Sequence, residues 1–228
     1  MSTVINAILP NPSSAIDPQW AMWDEFIAAN SIQTCREPVV RCYQCLDDQP
    51  GGFMRDDLVN HLLNLRAEGV TSTYANEAED QFGQDYDSED MEALDKTLSA
   101  LAEVFSAKSY RFSEFSSVYK GVCTKPYYTV HRFESIAVNA VVTFQGFLST
   151  SVCREKSEAF AGTQGVLLVI TGLDKVDCIV PENTKVISTP MSHISEHEVL
   201  LNFGTKMLVR EVLPGGGMRN REVHLEVV

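Results

Sequence analysis

Two glutamates stand one residue apart in ISEHEVLL, residues 194–201, directly before an apolar Val-Leu-Leu run. A strand alternates its side chains, so Glu196, Glu198 and Leu200 share one face while His197, Val199 and Leu201 share the other. Two carboxylates on one face repel each other, and the repulsion raises the proton affinity of one of them. Beside a core, that is raw material for acid–base or charge-stabilising chemistry. It is equally the composition of an ordinary solvated strand start, so the pair acquires meaning only from what the rest of the chain brings to it.

A second group is GFLSTS, residues 146–151, where three small hydroxyl residues end an apolar run. Ser149 and Ser151 face one way and Thr150 the other, and the tripeptide can also cap the helical CREKSEAF segment that follows. Two basic residues compete as a partner for an anionic ligand. Arg132 lies in YYTVHRFES, seventeen positions before Ser149, and Lys120 lies in SSVYKGVCTK. A guanidinium forms paired hydrogen bonds to phosphate or ribose oxygens that an ammonium cannot reproduce, which favours Arg132. The bland alternative for Arg132 is an exposed strand charge.

These residues need elements to position them. Before about residue 115 the pattern is helical. In DPQWAMWDEFIAAN, Asp17 suits a cap and Pro18 a first helical position, with Trp20, Trp23, Phe26 and Ile27 on one side. RDDLVNHLLNLRAEG places Leu58, Leu62 and Leu65 on a stripe ending at Gly69, and the segment opened by Ser88 places Met91, Leu94, Leu98, Leu101 and Phe105 likewise. Between them, the acidic stretch from Thr71 to Asp90 reads as a solvated loop. After about residue 127 come short β-like runs: YYTVHRF, AVVTFQGFLSTS, GVLLVITGL, KVISTP, HEVLLNF, TKMLVREVL and REVHLEVV, interrupted by a helix around Glu155–Phe160. The expected class is α+β, with an N-terminal helical lobe over 1–115 and a mostly antiparallel core over 116–228, packed as one unit.

Composition narrows the function classes. The 228 residues are 44% hydrophobic and carry a formal net charge of −13, which opposes nucleic acid as a general partner. No apolar run approaches the roughly 20 residues of a membrane span, and MSTVINAILPNPSS lacks the layout of a secretory signal. The six cysteines are too scattered for a stapled scaffold and suit a reducing compartment. Cys42 and Cys45 form a lone CxxC with no second pair at finger spacing, so no metal is expected. Neither GxGxxG nor GxxxxGK is present.

In order along the chain, a strand bearing an arginine, then Ser-Thr-Ser at a strand–helix junction, then Glu-x-Glu leading an apolar strand closely resembles the arginine-serine-glutamate class of mono-ADP-ribosyltransferases. The resemblance covers roughly residues 118–228 and is most specific from GVLLVITGL through EHEVLLNFGTKMLVREV, where the Gly204 turn fits. It implies a mostly antiparallel β-sandwich core and NAD+ as substrate. Glu198 matches the catalytic glutamate, and Ser149 the serine that holds the nicotinamide ribose and orients that glutamate. Glu196 matches the acid that acts on the acceptor. Arg132, Ser149, Thr150, Ser151 and Phe160 are expected to bind the dinucleotide, while Tyr127 and Tyr128 either stack on it or simply pack. STPMSHIS, residues 188–195, corresponds to the substrate-facing loop. The implied activity is transfer of ADP-ribose to an arginine, or a hydroxyl such as that of threonine, on a host protein, ubiquitin or a signalling protein among them. The resemblance is to bacterial effectors delivered into a host cytosol. An inactive NAD+-binding module and an NAD+ glycohydrolase are the alternatives.

Overall fold

The computed structural model describes residues 2–10, 18–44, 52–54, 58–59, 62–63, 88–122, 133, 136–182, 197–216 and 220–228. Among these, strands β1 (Thr3–Ile5), β2 (Tyr110–Phe112), β3 (Val118–Val122), β4 (Val141–Thr143), β5 (Leu148–Ser151), β6 (Val166–Thr171), β7 (Cys178–Ile179), β8 (Glu198–Leu201), β9 (Lys206–Leu213) and β10 (Arg221–Val227) join in one ladder of ten strands. Its order is β1-β2-β7-β8-β5-β3-β6-β10-β9-β4. All neighbours are antiparallel except β1 with β2 and β6 with β10. The class is therefore α+β with a large, mostly antiparallel sheet.

The α-helices described over their whole length are α1 (Pro18–Ala29), α2 (Pro38–Tyr43), α3 (Ser88–Lys108) and α4 (Arg154–Ala161), and they frame this sheet. The stripe expected on α3 faces inward, with Leu94, Leu101 and Phe105 buried and Met91 and Leu98 packed against the same cluster. Of the helix expected over 55–69, residues 58–59 and 62–63 are described, and they are helical. Of the run YYTVHRF only Phe133 is described, and it is helical and buried; KVISTP and most of the acidic stretch lie outside the described residues. AVVTFQGFLSTS does not form one strand, because a bend at Gln145 and Gly146 divides β4 from β5.

The described segments on either side of residue 115 share two cores. One gathers Ile5, Leu9, Trp23 and Ile32 with Val118, Val199, Leu201, Val223 and Leu225. The other packs Val39, Val40, Tyr43, Leu94 and Leu101 against Phe147, Ile179 and Leu200. Strand β8 lies between them: Val199 and Leu201 enter the first core and Leu200 the second. A strand covered on both faces needs an unbroken apolar run, which is why Val-Leu-Leu follows the glutamates. By the same alternation Glu198 leans with Leu200 toward the face that α2 and α3 cover.

Two local features fix this packing. At Gly121 on β3, an added Cβ would lie 1.9 Å from the Ser157 carbonyl oxygen and 2.6 Å from the Ala161 nitrogen, so α4 rests directly on the strand backbone. At the entry to β8, His197 is 1% exposed and takes φ +45°, a left-handed conformation uncommon for a residue with a Cβ. Its ring meets Trp23 of α1 edge-on, with centroids 6.1 Å apart. Burial, with a smaller contribution from Lys156, pushes its pKa down to about 4.

The described cysteines Cys35, Cys42, Cys153 and Cys178 are buried. Burial pushes Cys35 up to about 12 and also raises Cys178. No described helix is long and apolar enough to cross a membrane.

Gly121→Ala is expected to cost about 2 kcal/mol or more in a urea melt, since α4 must move off its strand. Gly216→Ala, whose Cβ would meet nothing within 4 Å, should change stability by less than about 0.5 kcal/mol. A pH dependence follows from His197. Its folded pKa lies below the unfolded value, so the unfolded chain binds the extra proton between about pH 6.5 and 4. This contribution is fully present above pH 6.5 and is lost as pH falls toward 4. Wild type should therefore lose on the order of 2 kcal/mol more than His197→Asn between pH 7 and 4.5 in paired urea melts. Parallel losses would refute it.

Candidate active site

The register across three strands aligns the candidate residues. Glu198 on β8 lies opposite Ser151 on β5, and Ser151 lies opposite Tyr119 on β3. Directly opposed residues project to the same face, so a carboxylate, a hydroxyl and a phenol form one row. Ser149, two residues back along β5, pairs with Leu200. Thr150 takes the alternate face, where its hydroxyl donates to the Val199 carbonyl and thereby bonds β5 to β8. Ser151 Oγ accepts the Cys153 amide at 3.0 Å, which turns the chain toward α4 without capping its first turn.

Glu198 is 6% exposed. Burying a carboxylate is costly without donors to compensate the lost hydration. One donor is the side-chain amide of Gln44, whose Nε2 lies 2.6 Å from Glu198 Oε2. Gln44 is the C-cap residue of α2, and its backbone amide closes the helix on the Val40 carbonyl at 2.9 Å. The preceding Tyr43 donates its hydroxyl to the Phe147 carbonyl at 2.9 Å and sets its ring edge-on to Phe147.

Lys120 follows Tyr119 on β3, and its Nζ donates to the Ser149 carbonyl at 3.1 Å. Of the two basic candidates, Lys120 thus stands beside the Ser-Thr-Ser strand, while Arg132 lies outside the described residues. Glu196, Tyr127, Tyr128, Cys45 and the STPMSHIS loop lie outside them as well. Phe160 is 60% exposed on α4. Cys42 is buried and its thiol lies 3.1 Å from the Phe53 carbonyl oxygen. Among the described residues no three His, Cys, Asp or Glu side chains are grouped to hold a metal ion.

Two members of this arrangement escape sequence reasoning. Tyr119 stands in SSVYKGVCTK, a stretch weighed for Lys120 in the place of an arginine and not for the phenol before it, and burial raises its pKa above the usual tyrosine value. Gln44 falls inside RCYQC, where the cysteine spacing is the conspicuous feature and the glutamine between them is not. A surface groove of about 600 Å³, lined in part by Ser2, Phe105, Arg111, Asp177, Asn202 and Phe203, lies at the other end of β8 from Glu198. There the Arg111 guanidinium and the Asp177 carboxylate pair with each other at 2.8 Å.

Comparisons with known proteins bear on the family and the fold. The family model described as ADP-ribosyltransferase exoenzyme matches residues 58–225. The Vis toxin of Vibrio splendidus, an ADP-ribosyltransferase, is 13% identical, with 96% of this chain and 88% of that one covered and a TM-score of 0.55. The C3larvin toxin of Paenibacillus larvae, also an ADP-ribosyltransferase, is 15% identical, with 93% and 94% covered and a TM-score of 0.50. No curated protein gives a significant match. At such identities the structural likeness speaks for the fold, and the family match speaks for membership. The chain belongs to the ADP-ribosyltransferase exoenzyme family.

Proposed function

We propose that this chain is a mono-ADP-ribosyltransferase of the arginine-serine-glutamate type, which cleaves NAD+ and places ADP-ribose on a side chain of another protein. The observation that carries the reading is Glu198: a buried carboxylate, in register with two hydroxyl side chains and held by an amide, at the position the Glu-x-Glu pattern marks. An isolated buried acid in a stable core is expensive, and a site that must oppose developing positive charge is a reason to keep one.

In the proposed step the bond between nicotinamide and the ribose carbon breaks, and its electron pair leaves with nicotinamide. The ribose carbon acquires oxocarbenium character, as in glycoside hydrolysis. Glu198 stabilises that charge and bonds the ribose. The site's low dielectric strengthens the attraction relative to water. The acceptor nucleophile then bonds to the same carbon and releases a proton, which Glu196 is proposed to accept or direct. With water as nucleophile the products are free ADP-ribose and nicotinamide.

The remaining roles follow from residue chemistry. Ser149 is assigned to the nicotinamide ribose and Arg132 to the dinucleotide's phosphates, with Lys120 as a second cation beside Ser149. Thr150 serves the strand pairing through its bond to Val199, and Ser151 shapes the face opposite Glu198. Exposed Phe160 offers an apolar face to the nicotinamide ring. The acceptor is an arginine, or a hydroxyl such as that of threonine, on a host protein, with ubiquitin or a signalling protein as candidates, reached by an effector delivered into the host cytosol.

The test is incubation of the purified chain with biotin-labelled NAD+ and eukaryotic lysate, followed by mass-spectrometric mapping of the labelled peptide. Absence of both labelling and nicotinamide release would refute the proposal. Glu198→Ala should lower nicotinamide release by about 10²-fold or more. Glu196→Ala should abolish protein labelling while hydrolysis stays within about 10-fold of wild type; equal, mild effects of the two changes would return the pair to ordinary strand-start charges. For the dinucleotide, Arg132→Ala should weaken calorimetric NAD+ binding by about 10-fold or more, consistent with loss of a charge-assisted fork. A larger loss from Lys120→Ala would transfer that role to the lysine.

A further inference from the structure

We infer that Gln44 is a positioning residue for Glu198, so that the short helix α2, outside the 58–225 span of the family match, is part of the catalytic machinery. The inference rests on the ADP-ribosyl transfer reading and adds to it a residue from the N-terminal segment.

The geometry is that of a charge-assisted bond: an amide nitrogen 2.6 Å from a carboxylate oxygen, across 154 positions of chain. The amide must present its N–H to the carboxylate, because the opposite orientation would set two acceptors against each other. A single carboxylate has lone pairs for about four donors, so a bond at Oε2 fixes the plane of the group and leaves acceptor capacity for ribose hydroxyls. A carboxylate set in advance need not reorganise as positive charge develops at the ribose carbon.

An orienting group is only as good as its own support, and α2 is tied down at both ends and along one side. Before it, the Cys35 amide donates to the Val180 carbonyl and the Glu182 amide donates to the Cys35 carbonyl, each at 2.8 Å. Pro38 opens the helix with its backbone angle already set. Glu37 pairs with Lys108 at the end of α3, and Tyr43 bonds to the backbone at Phe147, just ahead of β5. Gln44 therefore issues from a segment fixed to both strands that flank β8, since Val180 follows β7 and Phe147 precedes β5.

The test uses the full chain with Gln44→Met, which keeps the length and loses the donor, and Gln44→Glu, which sets a second acid against the first. In nicotinamide-release kinetics, Gln44→Met should lower kcat about 10-fold with KM for NAD+ within about two-fold, and Gln44→Glu should lower kcat further. A Gln44→Met variant that keeps more than half of wild-type kcat, or that loses rate only through KM, overturns the inference. A melting cycle reads the pair without substrate. Gln44→Met should lower Tm by about 3 °C in wild type and by less than half as much in a Glu198→Leu background, where no carboxylate awaits a donor. Equal losses in the two backgrounds also overturn it. A wild-type chain with this Tm coupling but no nicotinamide release would instead sink the transfer reading while leaving the pairing intact.

Discussion

One carboxylate under two layers of protein sets the terms for the rest of this molecule. Glu198 begins a strand whose following residues enter cores on both faces, so its charge cannot be left to bulk water. What surrounds it answers that constraint. A helix end brings an amide to it, the neighbouring strand brings a serine hydroxyl into register, and the next strand but one brings a tyrosine. Each comes from a different part of the chain, and each is held by packing that would serve a core equally well.

The same economy extends to the residue before it. His197 adopts a backbone conformation that side chains with a Cβ seldom take, and it does so beneath a tryptophan of the first helix. That conformation breaks the regular alternation of a strand at the residue before Glu198. Helix α4, seated on the backbone of β3 at Gly121, holds the third strand of the row. The helices thus hold the strands of this row in place.

How much of this was readable before coordinates depended on the range of each signal. The α3 stripe is a local periodicity and faces the core as expected. The Val-Leu-Leu run announced a strand entering a core, though not that both its faces are covered, and Ser-Thr-Ser followed by a helical pattern announced a strand–helix junction. Local patterns carry no information on which strands become neighbours, so β1 and β2 went unread. Each is three residues long and acquires strand character only from its partner. Strand β1 is one instance, since residues 3–5 are far from the rest of the sheet in sequence and join it in space. Gln44 is the sharpest case, because an amide at a helix end is unremarkable until the strand it faces is known.

The buried thiols have a consequence of a different kind. Cys35 and Cys178 are kept protonated by their surroundings, and a protonated sulfur is a poor nucleophile toward disulfides, peroxides or alkylating reagents. Cys35 also lies at the backbone bridge that anchors α2, and Cys178 on the strand beside β8. Their labelling by a thiol reagent would therefore time the opening of the scaffold around Glu198, which makes these two sulfurs built-in clocks for local unfolding.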